Sequence, residues 1–248
     1  MEVALITVGD ELLAGDTVNS NANWLATRLT ERGVTVTRIL SLPDDRATIA
    51  KHVVEYSDAF DAVIVTGGIG GTPDDVTMEA VADAFDREMV VREATLEHVE
   101  GTIEAYRETR PELDLDIDTE LEASIPEGSR PLLNDEGLAP GCVIENVYVL
   151  PGIPGELKAM FESVSEEFSG ESISAFLYTV EPEANITWAL GEVQEQFDVA
   201  VGCYPDREQQ HNRLKITATD RESLDDARVW LLENVDASEK EVSRDWDA

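Results

Sequence analysis

The chain has 248 residues, of which 42% are hydrophobic, and its 53 acidic and 18 basic residues give a formal net charge of −35. This length and apolar content suit a globular protein with one large domain, or one large and one small domain. The sequence shows no basic stripe, so nucleic acid and anionic membrane surfaces are not expected as partners.

The acidic residues are spread among periodic apolar positions, which indicates a solvated acidic coat and not a disordered tail. Such a coat repels itself in dilute buffer, whereas molar salt shortens the screening length to about 3 Å. We therefore expect a halophilic, salt-adapted protein.

The sequence also bears on the compartment. The start, MEVALITVGDELL, has no basic segment before its apolar stretch, and no apolar run approaches the roughly 20 residues of a membrane span. Cys142 and Cys203 lack metal-ligand spacing and are too few for a disulfide framework, which predicts reduced, structural thiols. We expect a cytoplasmic protein.

The first part of the chain alternates strand-like and helix-like segments. The strand candidates, rich in Val, Ile and Thr, are residues 2–8, 34–40 and 61–66. The first helix begins near Asn19 and is followed by Gly33 as a left-handed cap, and the second has Asp44 or Asp45 as its N-cap. This βαβαβ pattern predicts a mostly parallel sheet, covered on both faces, whose ligands bind beyond the carboxyl ends of the strands.

A glycine-rich segment, TGGIGGTPDDVT at 66–77, joins the third strand to a helix. Thr72 is the expected N-cap, with Pro73 at the first helical position and Asp75 at the third. Glycine-turn amides and a helix N-terminus favour phosphate, although the segment matches neither the P-loop nor the dinucleotide fingerprint. Asp74 is not needed for capping, so the pair is either a helix start or a set of ligands for a hard divalent cation.

Carboxylate pairs follow each of the first three strands and should meet at one edge of the sheet. They are Asp10-Glu11, Asp44-Asp45 and Asp74-Asp75. In so acidic a chain, about half of these residues are expected to belong to the salt-adapted surface. The three histidines are isolated from one another, which argues against a zinc site, and no G-x-S-x-G nucleophile motif occurs.

The middle of the chain predicts a polar excursion and a second glycine turn. Residues 92–124 suggest two polar helices broken at Arg110-Pro111. Short strand candidates follow in RPLLN, CVIE and VYVLPG, and PGIPGELKAMFESV then feeds a helix with Glu156 in its first turn.

The pattern restarts near Gly170, where residues 172–235 suggest a small β, α, β, β, α unit. We expect a first domain at 1–169, a second at 170–236 and a frayed tail at 237–248.

Three motifs of the first domain are VGDELLAGDTVNSNANWLATRL, TGGIGGTPDDVTMEAVADAF, and LLNDEGLAPGCVI followed by VLPGIPGELKAM. In order and spacing they resemble the N-terminal domain of the competence/damage-inducible protein A family, within the molybdopterin-binding superfamily of molybdenum-cofactor biosynthesis proteins. The resemblance covers residues 1–168, and the unit at 172–235 resembles the smaller domain that follows in this family. It implies a three-layer α/β/α fold, a homo-oligomer and, for some members, divalent-metal-dependent hydrolysis of ADP-ribose and related nucleotide pyrophosphates.

The resemblance also implies a pocket. The ligand-binding positions are Gly9, Asn19, Thr66, Gly67, Gly68, Gly70, Gly71, Thr72, Asn134, Gly152, Pro154 and Glu156. The expected ligands of Mg²⁺, Mn²⁺ or Co²⁺ are Asp10, Glu11, Asp44, Asp74 and Asp75, the last two also being the catalytic candidates. Two departures stand out: Ile69-Gly70-Gly71 replaces the usual leucine-glycine-proline, and the amidase domain of full-length members is absent from this sequence, so deamidase activity is not expected.

Two functional hypotheses follow. The first is a metal-dependent pyrophosphatase acting on ADP-ribose-like nucleotides, with no general base assigned. The second is a non-catalytic module that holds a molybdopterin or nucleotide ligand, in cofactor assembly or beside a separate amidase protein.

Overall fold

The computed structural model describes residues 1–110 and 116–243, and the chain divides into two units, Met1–Ser169 and Gly170–Ala248. The strands of the first unit are β1 (Glu2–Val8), β2 (Thr35–Leu42), β3 (Ala62–Thr66), β4 (Met89–Val91), β5 (Ser124–Pro126), β6 (Arg130–Leu132), β7 (Gly141–Ile144) and β8 (Val147–Leu150). Its helices are α1 (Asp10–Ala14), α2 (Ser20–Glu31), α3 (Arg46–Ala59), α4 (Thr77–Ala84), α5 (Glu93–Thr109), α6 (Thr119–Glu122) and α7 (Pro154–Val164).

Six of these strands form one sheet in the order β2-β1-β3-β8-β7-β6, and β4 pairs separately with β5. Strands β2, β1, β3 and β8 are parallel, whereas β7 and β6 are antiparallel to their neighbours. The mostly parallel sheet expected from the sequence is therefore confirmed. The carboxyl ends of the four parallel strands meet at one edge.

The sheet is buried on both faces because successive side chains of a strand point in opposite directions. On β1, Val3 and Leu5 pack with α2 and α7, while Ile6 and Val8 pack with α3 and α4. This alternation confirms the three-layer α/β/α architecture.

Local signals set several helix boundaries as expected. Asn19 caps α2 by accepting a hydrogen bond from the Ala22 N–H at 3.1 Å, and Asp45 caps α3 through the Thr48 N–H at 2.9 Å. Gly33 has a φ of 77°, the left-handed conformation of a helix terminus.

The predicted helix start at Thr72 is wrong, because α4 begins at Thr77 and Thr72 caps no helix. The Asp75 carboxylate accepts hydrogen bonds from the Thr72 N–H at 3.0 Å and the Thr72 hydroxyl at 2.5 Å, which closes a separate turn. The Thr77 N–H then donates to the Gly68 carbonyl at 2.8 Å, so the helix starts where the chain returns to the glycine loop.

The expected excursion at 92–124 contains α5, α6 and the start of β5. Asp118 caps α6 by accepting from the Leu121 N–H at 3.1 Å. The break predicted at Arg110-Pro111 lies partly outside the described residues, since Pro111 is not described.

The second unit has the order β9 (Ile173–Thr179), α8 (Glu183–Gln196), β10 (Ala200–Asp206), β11 (His211–Ala218), α9 (Arg221–Asn234) and β12 (Ala237–Ser238). Its antiparallel sheet runs β10-β11-β9-β12, with α8 and α9 packed on one face. The expected β, α, β, β, α order is observed. The tail expected from residue 237 differs, because Ala237 and Ser238 pair with Thr179 and Tyr178 of β9.

Both cysteines are free thiols. Burial raises the pKa of Cys142 to about 12 and that of Cys203 to about 11, so neither is a reactive thiolate near neutral pH. Over the described part of the chain, no helix has the length and hydrophobicity needed to cross a bilayer.

Candidate functional site

A cleft of about 460 Å³ opens where the carboxyl ends of β1, β2, β3 and β8 meet. Its lining residues are Val8, Gly9, Glu11, Asp44, Gly67, Gly68, Ile69, Gly70, Asp74, Asp75, Ala139, Pro151, Gly152, Ile153, Pro154 and Glu156. The cleft thus combines a glycine-rich wall with several carboxylates.

The floor of the cleft is built from backbone. Gly67 has a φ of 98°, and a Cβ atom there would lie 2.3 Å from the Val8 carbonyl oxygen. A Cβ on Gly152 would lie 3.2 Å from the Gly67 Cα. The loops after β3 and β8 therefore approach each other closely, and the two glycines leave room for a ligand against the main chain.

The segment after β1 forms a second wall. The Gly9 N–H donates to the Leu42 carbonyl at 3.1 Å, which joins the ends of β1 and β2. The Asp10 N–H donates to Oδ2 of Asp44 at 2.8 Å, while the Glu11 carboxylate folds back against Gly9. The Asp44 and Glu11 side chains line the cleft, whereas Asp10 contributes through its backbone.

The electrostatic character of the cleft is negative. Burial raises the pKa of Asp44, and the nearby carboxylates of Asp10, Glu11 and Asp74 raise it further, although the backbone hydrogen bond from Asp10 opposes them. None of the described lining residues is Lys, Arg or His. The carboxylates of the cleft are therefore not neutralised by a basic residue of its wall.

The two aspartates of the glycine loop have different surroundings. The Asp75 carboxylate is held by Thr72 and lies beside Gly70, where a Cβ would be 2.7 Å from Oδ2 of Asp75. Asp74 is exposed, and the nearby Thr72 side chain and its own backbone N–H lower the pKa of its carboxyl. Asp75 fixes the loop, and Asp74 faces the cleft opening.

A smaller cavity of about 260 Å³ lies on the other side of the glycine loop, and Gly71 and Thr72 line this cavity and not the main cleft. Glu122 packs against Gly71, and its carboxyl pKa is raised by burial and by the charges of Asp75 and Asp118. No sequence motif identified Glu122, because it reaches the loop from α6.

Glu156 is positioned by a buried asparagine. Asn134 donates from Nδ2 to Oε2 of Glu156 at 2.8 Å and to the Ala139 carbonyl at 3.1 Å. The Asn134 N–H donates to Nε2 of His98 at 3.4 Å, and Oδ1 of Asn134 has no hydrogen-bond partner within the described part of the chain. Asn134 does not line the cleft; it holds a carboxylate that does.

Asn19 and Thr66 lie beside the cleft, around a cavity of about 90 Å³. Asn19 donates from Nδ2 to Oγ1 of Thr7 at 2.9 Å, and the Thr66 hydroxyl donates to the Pro151 carbonyl at 2.6 Å. Both side chains connect the strand ends that carry the cleft.

The structure therefore brings most of the expected pocket together. The expected residues that line the main cleft are Gly9, Glu11, Asp44, Gly67, Gly68, Gly70, Asp74, Asp75, Gly152, Pro154 and Glu156. The sequence did not identify Ala139 or Asn21; Asn21 donates from Nδ2 to the Gly152 carbonyl at 2.6 Å and keeps a buried Oδ1 without a partner among the described residues.

The expected five-carboxylate metal site is not assembled as a unit. Within residues 1–110 and 116–243, no group of three or more His, Cys, Asp or Glu is arranged to hold a metal ion. The carboxylates surround the cleft without converging on one point.

Similarity to known proteins covers both units. Residues 4–169 match the family described as "Probable molybdopterin binding domain", and residues 171–242 match "FAD synthase, middle domain". A protein of Archaeoglobus fulgidus is 38% identical over 210 residues, which cover 83% of this chain and 86% of that protein.

Two further relatives carry a CinA description. A CinA-like protein of Citrifermentans bemidjiense is 34% identical over 248 residues, which cover 96% of this chain and 59% of that protein. The crystal structure of CinA from Thermoplasma acidophilum, described as being of unknown function, matches with a TM-score of 0.59 and 30% identity, over 68% of this chain and 99% of that one.

Proposed function

The chain belongs to the CinA family with an N-terminal molybdopterin-binding-like domain, and on this basis we propose that its cleft binds the phosphate part of a nucleotide or pterin as a complex with a divalent cation. The observation that carries the proposal is the chemistry of the wall: glycine-rich backbone and carboxylates, with no basic side chain among the described lining residues.

This wall attracts and repels a phosphate at the same time. The glycine turn at Gly67 and Gly68 offers backbone groups at close approach, which suits a diphosphate. The neighbouring carboxylates oppose it, because two like charges about 4 Å apart near a protein surface cost on the order of 4 kcal/mol. A divalent cation that accompanies the ligand would reverse this repulsion.

The residues fit such a cation without a preformed cage. Mg²⁺ keeps several waters and is commonly bound by one or two carboxylates together with substrate phosphates. Glu11, Asp44 and Asp74 supply hard oxygen donors in the lining of the cleft. A cation that arrives with the ligand therefore needs no group of three protein ligands.

The specific reaction we propose is hydrolysis of nucleotide pyrophosphates such as ADP-ribose. A bound divalent ion supplies a polarised phosphoryl oxygen and a water of lowered pKa. The chain's own part is to orient the diphosphate on the glycine-loop backbone, to keep the loop closed through Asp75 and Thr72, and to hold the Glu156 carboxylate toward the cleft through Asn134.

One observation favours the alternative, a non-catalytic binding module. The pKa of the Asp74 carboxyl is lowered, which makes it a weak proton acceptor, and no histidine or lysine stands among the described lining residues. A cleft of this kind can hold a pterin or nucleotide without turning it over.

The experiment that separates these readings uses the full chain in high salt. ADP-ribose is added with Mg²⁺, Mn²⁺, Co²⁺ or EDTA, and both AMP release and the melting temperature are measured. Metal-dependent AMP release supports the hydrolase, whereas metal-dependent stabilisation without AMP supports the binding module.

Glu11→Gln tests the cleft directly, and Glu195→Gln, an equal change of charge at an exposed position of α8, is its matched control. We expect only Glu11→Gln to weaken the metal-dependent effect, by tenfold or more. Equal stabilisation by ADP-ribose in EDTA and in Mg²⁺ would contradict the proposed cation complex.

A further inference from the structure

The small sheet of the second unit has two chemically different faces. Helices α8 and α9 pack on one face through side chains such as Leu177, Leu214 and Ile216. The alternate residues point to the opposite face and form three cross-strand rows from β9 through β11 to β10. These rows are Tyr178–Arg213–Tyr204, Phe176–Lys215–Gly202 and Ser174–Thr217–Ala200. His211 and Asp206 pair on the same face, which therefore also carries one carboxylate at its end.

We propose that this face binds single-stranded nucleic acid, with phosphates at Arg213 and Lys215 and bases stacked on Tyr178, Phe176 and Tyr204. Proteins bind single strands through aromatic rings interleaved with cations. The rings stack on bases, since every base has a π-face, and the cations meet the phosphate charge that each nucleotide carries. The surface is called the aromatic-basic face below.

Two of the aromatic rings are exposed to solvent. Phe176 is 40% exposed and Tyr204 is 51% exposed. A Cβ on Gly202 would lie 2.8 to 2.9 Å from the Tyr204 ring and hydroxyl, so the tyrosine lies across Gly202 along the sheet. A ring lying along the sheet turns one face outward, where a base can stack on it.

Two contacts orient side chains of this face. The Arg213 guanidinium carbon lies 5.2 Å from the Phe176 ring centroid, which is a cation–π distance. Tyr178 packs edge-on against His211 with centroids 5.1 Å apart, and Nδ1 of His211 lies 2.7 Å from the Val242 carbonyl oxygen. The face is therefore partly organised before a ligand arrives.

The two cations of this face have no carboxylate partner among the described residues. Elsewhere in this unit Arg221 pairs with Asp225, and Arg228 pairs with Asp225 and Glu239. Arg213 and Lys215 form no ion pair with any described residue, although the sequence has 53 acidic residues. Two adjacent cations without carboxylate partners complement a phosphate chain.

The sequence did not reveal this surface, and its overall charge suggested the opposite. Phe176 and Lys215 are far apart in the chain and become neighbours only through strand pairing. With only two phosphate contacts, log affinity should fall with log salt at a slope of about −1.4, so stacking carries much of the binding.

The test is fluorescence anisotropy of the full chain with labelled ten-nucleotide single strands of uridine and thymidine, over a KCl series in which circular dichroism shows a folded protein. We expect binding with the slope given above and weaker binding to a duplex. Lys215→Gln should reduce the slope by about 0.7. Phe176→Leu and Tyr204→Leu should each weaken binding on the order of 5- to 150-fold.

Arg221→Gln, on α9, is the matched control for charge and should bind like the unmodified chain. No binding of either single strand by the folded protein would overturn the proposal, as would equal affinity for the duplex. Tighter binding of a ten-residue polyglutamate would assign the face to an acidic protein segment and overturn it too. ADP-ribose hydrolysis depends on the first unit, so its presence or absence leaves this test unaffected.

Discussion

The backbone N–H of Asp10 donates a hydrogen bond to the side chain of Asp44 at 2.8 Å, across a sequence separation of 34 residues. This bond connects the start of α1 to the segment after β2 and holds the Asp44 carboxylate at the cleft. The same carboxylate lies among other negative charges, so the bond retains a side chain whose charge the fold disfavours.

Asp44→Asn should raise the melting temperature at pH 7. The pKa of Asp44 is raised in the folded state, so its charged form opposes folding at neutral pH, and protonation removes this opposition as the pH falls through the raised pKa. Asparagine keeps the acceptor for Asp10 without the charge. We expect a gain of about 1–2 °C at pH 7 that vanishes in acid, measured by thermal melts across pH.

At the adjacent Asp45, the pKa shift and its effect on stability have the opposite sign. Its pKa is lowered by the hydrogen bonds from Thr48, so its charged form supports folding above its unfolded pKa, and this support is lost as the pH falls through the lowered value. Asp45→Ala should therefore melt earlier at pH 7. A rise in melting temperature for both variants would contradict the assignment.

Asp74 and Asp75 should separate function from stability. Asp75→Ala removes the acceptor for two Thr72 hydrogen bonds and should cost about 0.5–2 kcal/mol without ligand, measured by denaturant titration. Asp74→Ala should cost the unliganded protein less than Asp75→Ala, because the lowered pKa of the exposed Asp74 gives its charge only a small part in stability. It should weaken metal-dependent binding or turnover of ADP-ribose by an order of magnitude or more.

If both alanine variants bind and turn over ADP-ribose like the unmodified chain, the two aspartates only shape the loop.

Gly67→Ala should be among the most costly single changes in the first unit. The new Cβ would meet the Val8 carbonyl at 2.3 Å, and the φ of 98° disfavours any side chain. We expect a loss of about 2 kcal/mol or more. Gly155→Ala is the control, because its Cβ meets nothing within 4 Å in α7 and should stabilise by about 0.5–1 kcal/mol. Similar melting temperatures for the two variants would contradict the steric argument.

The net charge of −35 predicts a response to salt. As KCl falls from molar to about 0.1 M, the Debye length grows to about 10 Å and acidic repulsion strengthens. The melting temperature should fall with the dilution. Indifference to it would remove the salt-adaptation hypothesis.

Limited proteolysis should cut near residues 168–173, where the two units meet in sequence. Fragments separated by electrophoresis and identified by mass should correspond to the two units. Stable fragments that all span this region intact would show one shared cooperative core.

Local patterns allowed much of the fold to be predicted. Apolar runs such as AVIVT fixed β3, and Asn19, Asp45 and Gly33 marked helix boundaries, because each of these signals acts over only a few residues. The edge of the sheet that carries the cleft followed from the parallel strand order.

The remaining features depend on contacts between distant segments. The start of α4 depends on the hydrogen bond between the Thr77 N–H and the Gly68 carbonyl, and the helix-start signals around Thr72 do not predict this bond. Glu122 reaches the glycine loop from α6, and Asn134 reaches Glu156 from another loop. The carboxylates were predicted at the correct edge, but their convergence on one ion depends on side-chain directions that strand order does not determine.

The backbone contact between Gly67 and Gly152 also affects how a saturation mutagenesis screen should be interpreted. Most substitutions at Gly67 would be rejected in any selection that requires folded protein, because a Cβ there would meet the Val8 carbonyl oxygen at 2.3 Å, and substitutions at Gly152 would press on Gly67 at 3.2 Å. Intolerance there reports steric exclusion whether or not a ligand binds. Loss of activity on substitution of the exposed Asp74, in a protein that still accumulates at normal levels, would instead indicate a role in binding or catalysis. The two glycines therefore serve as the reference for loss of fold when the carboxylates around them are scored.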